Sequence, residues 1–212
     1  MTVASLGINE NIEDPGNHAK PLVGPPVPVG LDKGILSNNE MALHASIQTL
    51  VADGKLKEAE EKIAIALKRD SKNESVLVLA SLVSMADQRW EDAVSRLMKL
   101  REIQGDQAPA MTHLMMIRAL RCLDKHLEAM EAAMIAVRSH YDNQEIVEEA
   151  ASVAEYLNEW ESAVLALDVL VEMHGDDVPK ELITRWDTAK LMAMAFGMTD
   201  KAEFTIPGGE AK

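Results

Sequence analysis

The sequence repeats with a period close to 34 residues, and this period constrains the fold more than any other feature. The segments "KLKEAE", "RWEDAV" and "EWESAV" each contain a large apolar residue followed three positions later by alanine. Two of the large residues, Leu56 and Trp90, are 34 positions apart, and the next copies are predicted at Leu127 and Trp160, after steps of 37 and 33. A period of this length is typical of stacked helix–turn–helix units, which bury their apolar faces only against neighbouring units.

Each unit is predicted to contain two helices, A and B, because apolar residues recur at helical spacing in both halves. Short polar segments separate the two helices: "ADGK", "ADQR", "LDKH" and "LNEW". The segments "SNNE" from Ser37 and "SKNE" from Ser71 have the form of a capping box, in which the serine accepts a backbone N–H at the start of an A helix. The sequence therefore predicts four antiparallel helical hairpins.

These motifs resemble those of the tetratricopeptide repeat (TPR) family. The best-matching unit has Gly54 before Leu56, then Ala59, Ile63 and Ala66 at the spacing of the family pattern. The four predicted repeats span residues 40–73, 74–107, 111–143 and 144–177, and the third is degenerate, with methionine at 130 in the place of the small residue. The resemblance implies an all-α fold, namely a right-handed α-solenoid of about four TPR-like helix–turn–helix repeats.

The two ends of the chain differ in composition from the repeats. Residues 1–36 contain five of the eight prolines and five of the eleven glycines, which predicts an extended, flexible N-terminal arm. Residues 37–198 are predicted to form the solenoid with a C-terminal capping helix, and residues 199–212 a flexible tail.

The capping helix is predicted because the last repeat of a solenoid otherwise leaves an apolar face in water. Asp177 is expected to cap this helix, Pro179 to lie in its first turn and Gly197 to end it. Three residues are predicted to cover the last repeat: Trp186, Leu191 and Met194.

The resemblance also implies a partner-binding groove on the concave face, formed by positions 2, 5, 9 and 12 of each A helix. Ten residues at these positions are predicted to line it: His44, Gln48, Val78, Leu82, Met85, Met115, Cys122, Glu145, Glu148 and Glu155. Such a groove is mixed at one end, apolar in the middle and acidic at the other, so we expect a partner segment with apolar anchors and nearby Lys or Arg. Two alternatives stay open: the methionines can pack in the core, and the glutamates can form a solvated helix face.

Charge and residue types exclude several function classes. The net charge of −14 argues against nucleic acid and anionic membranes as partners, and no apolar run is long enough for membrane insertion. No catalytic constellation, phosphate loop or cofactor motif is present, so we expect neither enzyme activity nor a cofactor. Cys122 and His126 are four positions apart, but two ligands do not make a metal site. The single cysteine fits a reducing cytoplasm.

Three functional hypotheses follow from the predicted fold. The first is a cytoplasmic, non-catalytic adaptor or scaffold that binds a partner peptide or helix in the groove. The alternative is a secretion-type chaperone that shields apolar segments of an export substrate; a third is a module that accompanies an enzyme on another chain. The N-terminal arm, with "LVGPPVPVG", can be a linker, occupy the groove or bind elsewhere. The partner's identity and the oligomeric state are not predicted.

Overall fold

The computed structural model describes residues 38–105 and 108–196, all within the unit Leu36–Lys212. The predicted N-terminal arm, the first predicted capping serine, Gly197 and the predicted C-terminal tail lie outside the described residues. The predicted domain boundaries therefore stay predictions.

The described residues form nine α-helices and no strands, with these bounds: α1 Asn38–Ala52, α2 Leu56–Arg69, α3 Glu74–Ala86, α4 Trp90–Gln104, α5 Ala110–Cys122, α6 His126–Ser139, α7 Gln144–Tyr156, α8 Trp160–His174 and α9 Lys180–Ala195. Each helix packs against the next one in the chain, and the A helices also pack on each other, α1 on α3 and α5 on α7. This order of four stacked hairpins and a final helix confirms the all-α solenoid.

One alanine in the first turn of each B helix allows the A and B helices of a hairpin to pack closely. Ala59, Ala93, Ala129 and Ala163, one from each B helix, are fully buried. Each lies three residues after the first residue of its helix, so the predicted spacing of large apolar residue and alanine is present in three hairpins, and the third has a histidine before its alanine. A larger side chain at these positions would push the two helices apart, because protein interiors are close-packed.

The third hairpin corrects the predicted register. Helix α6 begins at His126, not at Leu127, and its buried small residue is Ala129 rather than Met130. Leu127 is 72% exposed, as expected for a residue outside the hairpin interface. The true steps are 36 and 34 residues, because α4 and the segment that leads from it to α5 are each one residue longer than their counterparts in the first and third hairpins.

The turn inside each hairpin uses a residue with positive φ. Gly54, Gln88, Asp124 and Asn158 have φ between 56° and 72°, and each lies two positions before the first residue of its B helix. The left-handed conformation reverses the chain sharply after the A helix, in the manner of a helix C-terminal motif. Only the first of the four turns has glycine there, the residue for which this conformation costs least.

The starts of two A helices are capped by asparagine. The side chain of Asn73 accepts a hydrogen bond from the Val76 N–H at 3.0 Å, and Asn143 accepts one from Ile146 at 3.1 Å. The predicted capping box at Ser71 is therefore wrong, since Ser71 lies in the turn before the cap. Asparagine caps as well as serine does, and its position next to the helix decides between them.

Helix α9 packs against α8 as predicted for a capping helix, but only one of the three predicted residues, Trp186, takes part. Its buried face consists of Leu182, Ala189 and Ala193, while Trp186 is partly buried and donates its Nε1–H to Asp168 at 2.5 Å. Two expectations are wrong: the N-cap position belongs to Pro179 rather than Asp177, and the residues at 191 and 194 are 67% and 61% exposed.

Candidate functional site

The A helices place the ten predicted groove residues in three different environments. Gln48 and Cys122 are exposed, and the side chains of Glu145 and Glu148 are partly exposed. Leu82 and Glu155 are half-buried. The remaining four are buried: His44, Val78, Met85 and Met115. Most of the predicted apolar centre is thus packed inside the hairpin stack, whereas the predicted acidic end is accessible.

His44 is buried on α1, and its Nε2 has no hydrogen-bond partner among the described residues. Burial lowers the pKa of its imidazole, and the charge of Glu40 opposes this only in part. The neutral imidazole is therefore the form that the fold favours. Another histidine, His113 on α5, is also buried.

The acidic end is organised by an arginine from the capping helix. Arg185 on α9 donates from Nη1 to Glu148 at 2.5 Å and from Nη2 and Nε to the two carboxylate oxygens of Glu155, at 2.8 and 3.2 Å. Burial lowers the pKa of Arg185, but the hydrogen bonds to Glu155 and Glu148 outweigh burial and raise it above its ordinary value. This bidentate pairing fixes both glutamates of α7 in position.

A second group of charges connects α5 to α7. Arg118 donates from Nε to Glu149 at 2.6 Å, and its Nη2 lies 3.5 Å from Glu145. Arg121 also pairs with Glu149. Glu145 makes the longest of these contacts and its side chain is 65% exposed, so its carboxylate keeps room for a further cation.

Two open clefts border α7 at this end of the described chain. The first, of about 250 Å³, is formed by α7, α8 and α9 and lined by Glu155, Trp160, Thr184, Arg185, Thr188 and Ala189. The second, of about 340 Å³, is formed by α5 and α7 and lined by Arg118, Gln144, Glu145, Glu148 and Glu149. We call the two together the α7 clefts. The structure brings the three predicted glutamates to these clefts, although their use in binding stays a prediction.

The arginines of the α7 clefts were missed by the sequence reasoning. Four glutamates of α7 face three arginines, which leaves one net negative charge rather than an unbalanced acidic surface. The segment from Ser139 to Pro179 contains no Lys or Arg, and the compensating charges come from helices on either side of it. An arginine on the exposed face of a neighbouring A or capping helix was the available signal.

No group of three or more potential ligands is arranged to hold a metal ion in residues 38–105 and 108–196. His126 is the first residue of α6, and its ring stacks on Tyr156 with centroids 3.9 Å apart. Burial raises the pKa of the Cys122 thiol, which disfavours the reactive thiolate. None of the described helices is long and apolar enough to cross a membrane.

No protein-family model matches the chain, and no curated protein matches it. Solved structures do. A crystal structure of MamA has a TM-score of 0.56 at 15% identity, over 71% of this chain and 96% of MamA. A crystal structure of YrrB, described as a TPR protein with an unusual peptide-binding site, has a TM-score of 0.59 at 15% identity, over 74% of this chain and 77% of YrrB. Together with the four stacked hairpins, these likenesses show that the chain has the TPR-like solenoid fold.

Proposed function

We propose that the protein is a non-catalytic interaction module that binds a segment of another protein along its A helices, with the α7 clefts as the main contact. The observation that carries this proposal is the position of the clefts: both border the same A helix, and both are lined by its glutamates. The TPR-like fold supports a protein partner, since YrrB is described as having a peptide-binding site.

The clefts offer two kinds of contact for an extended segment. Glu145 presents an exposed carboxylate that its 3.5 Å contact with Arg118 does not saturate. The neighbouring cleft adds an apolar surface from the half-buried ring of Trp160. A segment with a Lys or Arg beside an apolar anchor fits this arrangement, because the carboxylate attracts the cation and the anchor removes apolar surface from water.

The test begins with short random peptides displayed on phage and selected on the immobilised full-length chain. We expect enriched peptides to combine an apolar residue with Lys or Arg. Replacing Glu145 with Gln is expected to weaken the best peptide roughly threefold to tenfold, and to reduce the salt dependence of binding. Fluorescence anisotropy with the labelled peptide measures both effects.

Glu172→Gln on α8 is the matched control, because it removes the same charge from an exposed position away from the clefts. A triple variant, Glu145, Glu148 and Glu155 each to Gln, gives the decisive comparison, with circular dichroism to establish that it remains folded. If its affinity and salt dependence equal those of the natural chain, the clefts are not the binding site.

The secretion-type chaperone remains the alternative within the same class of binding protein. It predicts one apolar exported client that aggregates when this protein is absent, whereas an adaptor predicts a multi-subunit assembly. Affinity purification from the native cell followed by mass spectrometry separates the two. Both versions keep the reducing cytoplasm as the site of action and need no cofactor.

A further inference from the structure

The outer surfaces of the first three B helices share one pattern. Counted from the first residue of each helix, positions 2, 3, 6, 9, 10 and 13 are exposed in α2, α4 and α6. We call these eighteen residues the B-helix face: Lys57, Glu58, Glu61, Ala64, Ile65, Lys68, Glu91, Asp92, Ser95, Met98, Lys99, Glu102, Leu127, Glu128, Glu131, Met134, Ile135 and Arg138. Equivalent positions of stacked hairpins lie side by side, so each position forms a row across the three helices.

The middle rows of the B-helix face, positions 9 and 10, are apolar except for Lys99. Ile65, Met98, Met134 and Ile135 occupy positions 9 and 10 and are 58%, 52%, 48% and 42% exposed. One exposed apolar residue needs no explanation, but large apolar residues at position 9 or 10 of three successive helices form a continuous band. The A-helix clefts lie elsewhere on the described chain and do not use this band.

Charges of opposite sign lie on the two sides of the apolar band. Positions 2, 3 and 6 carry six acids and one lysine, a net charge of −5, and position 13 carries two bases and one acid, a net charge of +1. The helix dipole favours acids at N-termini and bases at C-termini. It does not account for the exposed apolar residues between them.

We propose that the B-helix face binds a second copy of this chain through an antiparallel two-fold interface. In this arrangement each B helix lies against its own copy, and the axis passes between positions 9 and 10. Position 6 then faces position 13 of the second copy: Glu61 faces Lys68, Glu131 faces Arg138, and Ser95 faces Glu102. The pairing joins opposite charges in two helices, avoids a like-charge contact in the third, and covers the apolar band from both sides.

The charged residues of these pairs are available for contact with a second chain. Within the described ranges, none of Glu61, Lys68, Glu131 and Arg138 makes an ion pair in its own chain. A dimer formed in this way leaves both sets of α7 clefts accessible, so the assembly presents two partner-binding sites. Two linked sites bind a multivalent partner more tightly than either site alone.

Sedimentation velocity on the full-length chain tests the proposal. The natural protein is expected to sediment as a species with twice the mass of one chain, which is 23.2 kDa. Glu61→Lys with Glu131→Lys makes positions 6 and 13 of α2 and α6 basic, and Lys68→Glu with Arg138→Glu makes the same positions acidic. Each double variant alone is expected to raise the dimer Kd about tenfold or more, through repulsion between like charges.

An equimolar mixture of the two double variants is the critical measurement. In a mixed dimer the bases at positions 6 and 13 of one variant face the acids at positions 13 and 6 of the other, so mixing is expected to restore the 1:1 dimer. Circular dichroism controls for folding, which exposed substitutions leave intact. A natural chain that stays monomeric at micromolar concentration overturns the proposal, and so do two double variants that fail to associate on mixing.

Discussion

Arg96 shows how one polar side chain joins three helices of this fold. From α4 it donates through Nη1 to the carbonyl of Ala80 and to Oγ of Ser84 on α3, both at 2.7 Å, and it pairs with Glu60 on α2. Burial raises the pKa of Glu60, but Arg96 and then Arg89 outweigh burial and hold that pKa below its ordinary value. Glu60 and Arg96 therefore remain an ion pair between consecutive repeats throughout the neutral pH range.

We expect Arg96→Ala to lower the free energy of unfolding by about 2–3 kcal/mol, because it leaves partly buried acceptors without a donor. Urea titration followed by circular dichroism measures the loss. Arg101→Ala, an exposed position on the same helix, is the matched control and is expected to change stability by less than about 0.5 kcal/mol. Equal losses for the two variants would assign the effect to helix propensity rather than to the network.

Individual residues also show why the sequence predicted the candidate site only in part. The positions of Glu145, Glu148 and Glu155 followed from the A-helix register, which periodicity determines well. The pairing of two of them with Arg185 depends on a contact across 30 or more positions, which depends on how α9 packs and on no local pattern. Net charge along a segment is therefore a poor guide to the charge of a surface.

At the scale of the elements, the hairpin turns provide a test of backbone strain. Gly54 adopts φ of 72° with open space around the position of a Cβ, so a substitution there meets a conformational cost and no clash. Gln88 adopts φ of 57° at the equivalent place in the next repeat, where a side chain makes the left-handed conformation unfavourable. The two turns have the same geometry and differ in the residue.

The two exchanges at these turns are expected to have opposite signs. Gly54→Ala is expected to lower the free energy of unfolding by about 1 kcal/mol, and Gln88→Gly to raise it by about 0.5 kcal/mol, since greater freedom of the unfolded chain offsets part of the relieved strain. Paired urea titrations at one pH check both values. A change of the same sign for both exchanges would show that the turns contribute to stability through contacts instead.

The elements also show where sequence periodicity failed. The predicted step of 34 residues between the first two B helices is found in the structure, and so are the helical hairpins. In the third repeat His126 takes the place that leucine or tryptophan has in the others. The hydrophobic pattern therefore points to Leu127, the next apolar residue, and the predicted register is late by one position. A pattern based on hydrophobicity misses an aromatic but polar residue whose ring stacks on a neighbouring helix.

At the scale of the whole molecule, two buried histidines make stability depend on pH. His44 lies in the first hairpin and His113 in the third. Burial lowers the pKa of His113, and the charges of His140 and Arg101 lower it further; burial also lowers the pKa of His44. Each repeat of a solenoid is stabilised by its neighbours, so a cost in either hairpin weakens the stack as a whole.

We therefore expect the free energy of unfolding to be constant above about pH 7 and to fall as the pH drops below the ordinary histidine pKa of about 6.5. The sign follows because the folded pKa values are lowered, so in this range the unfolded chain binds protons that the folded chain does not. Each histidine contributes at most about 1.4 kcal/mol per pH unit.

Urea midpoints measured at successive pH values for the natural chain and for a His44→Gln, His113→Gln double variant test this pH dependence. The double variant should be less stable at neutral pH but show a flatter profile, whereas His174→Gln at a more exposed position should keep the natural slope. An unchanged slope in the double variant would assign the acid sensitivity to the carboxylates of the ion-pair networks.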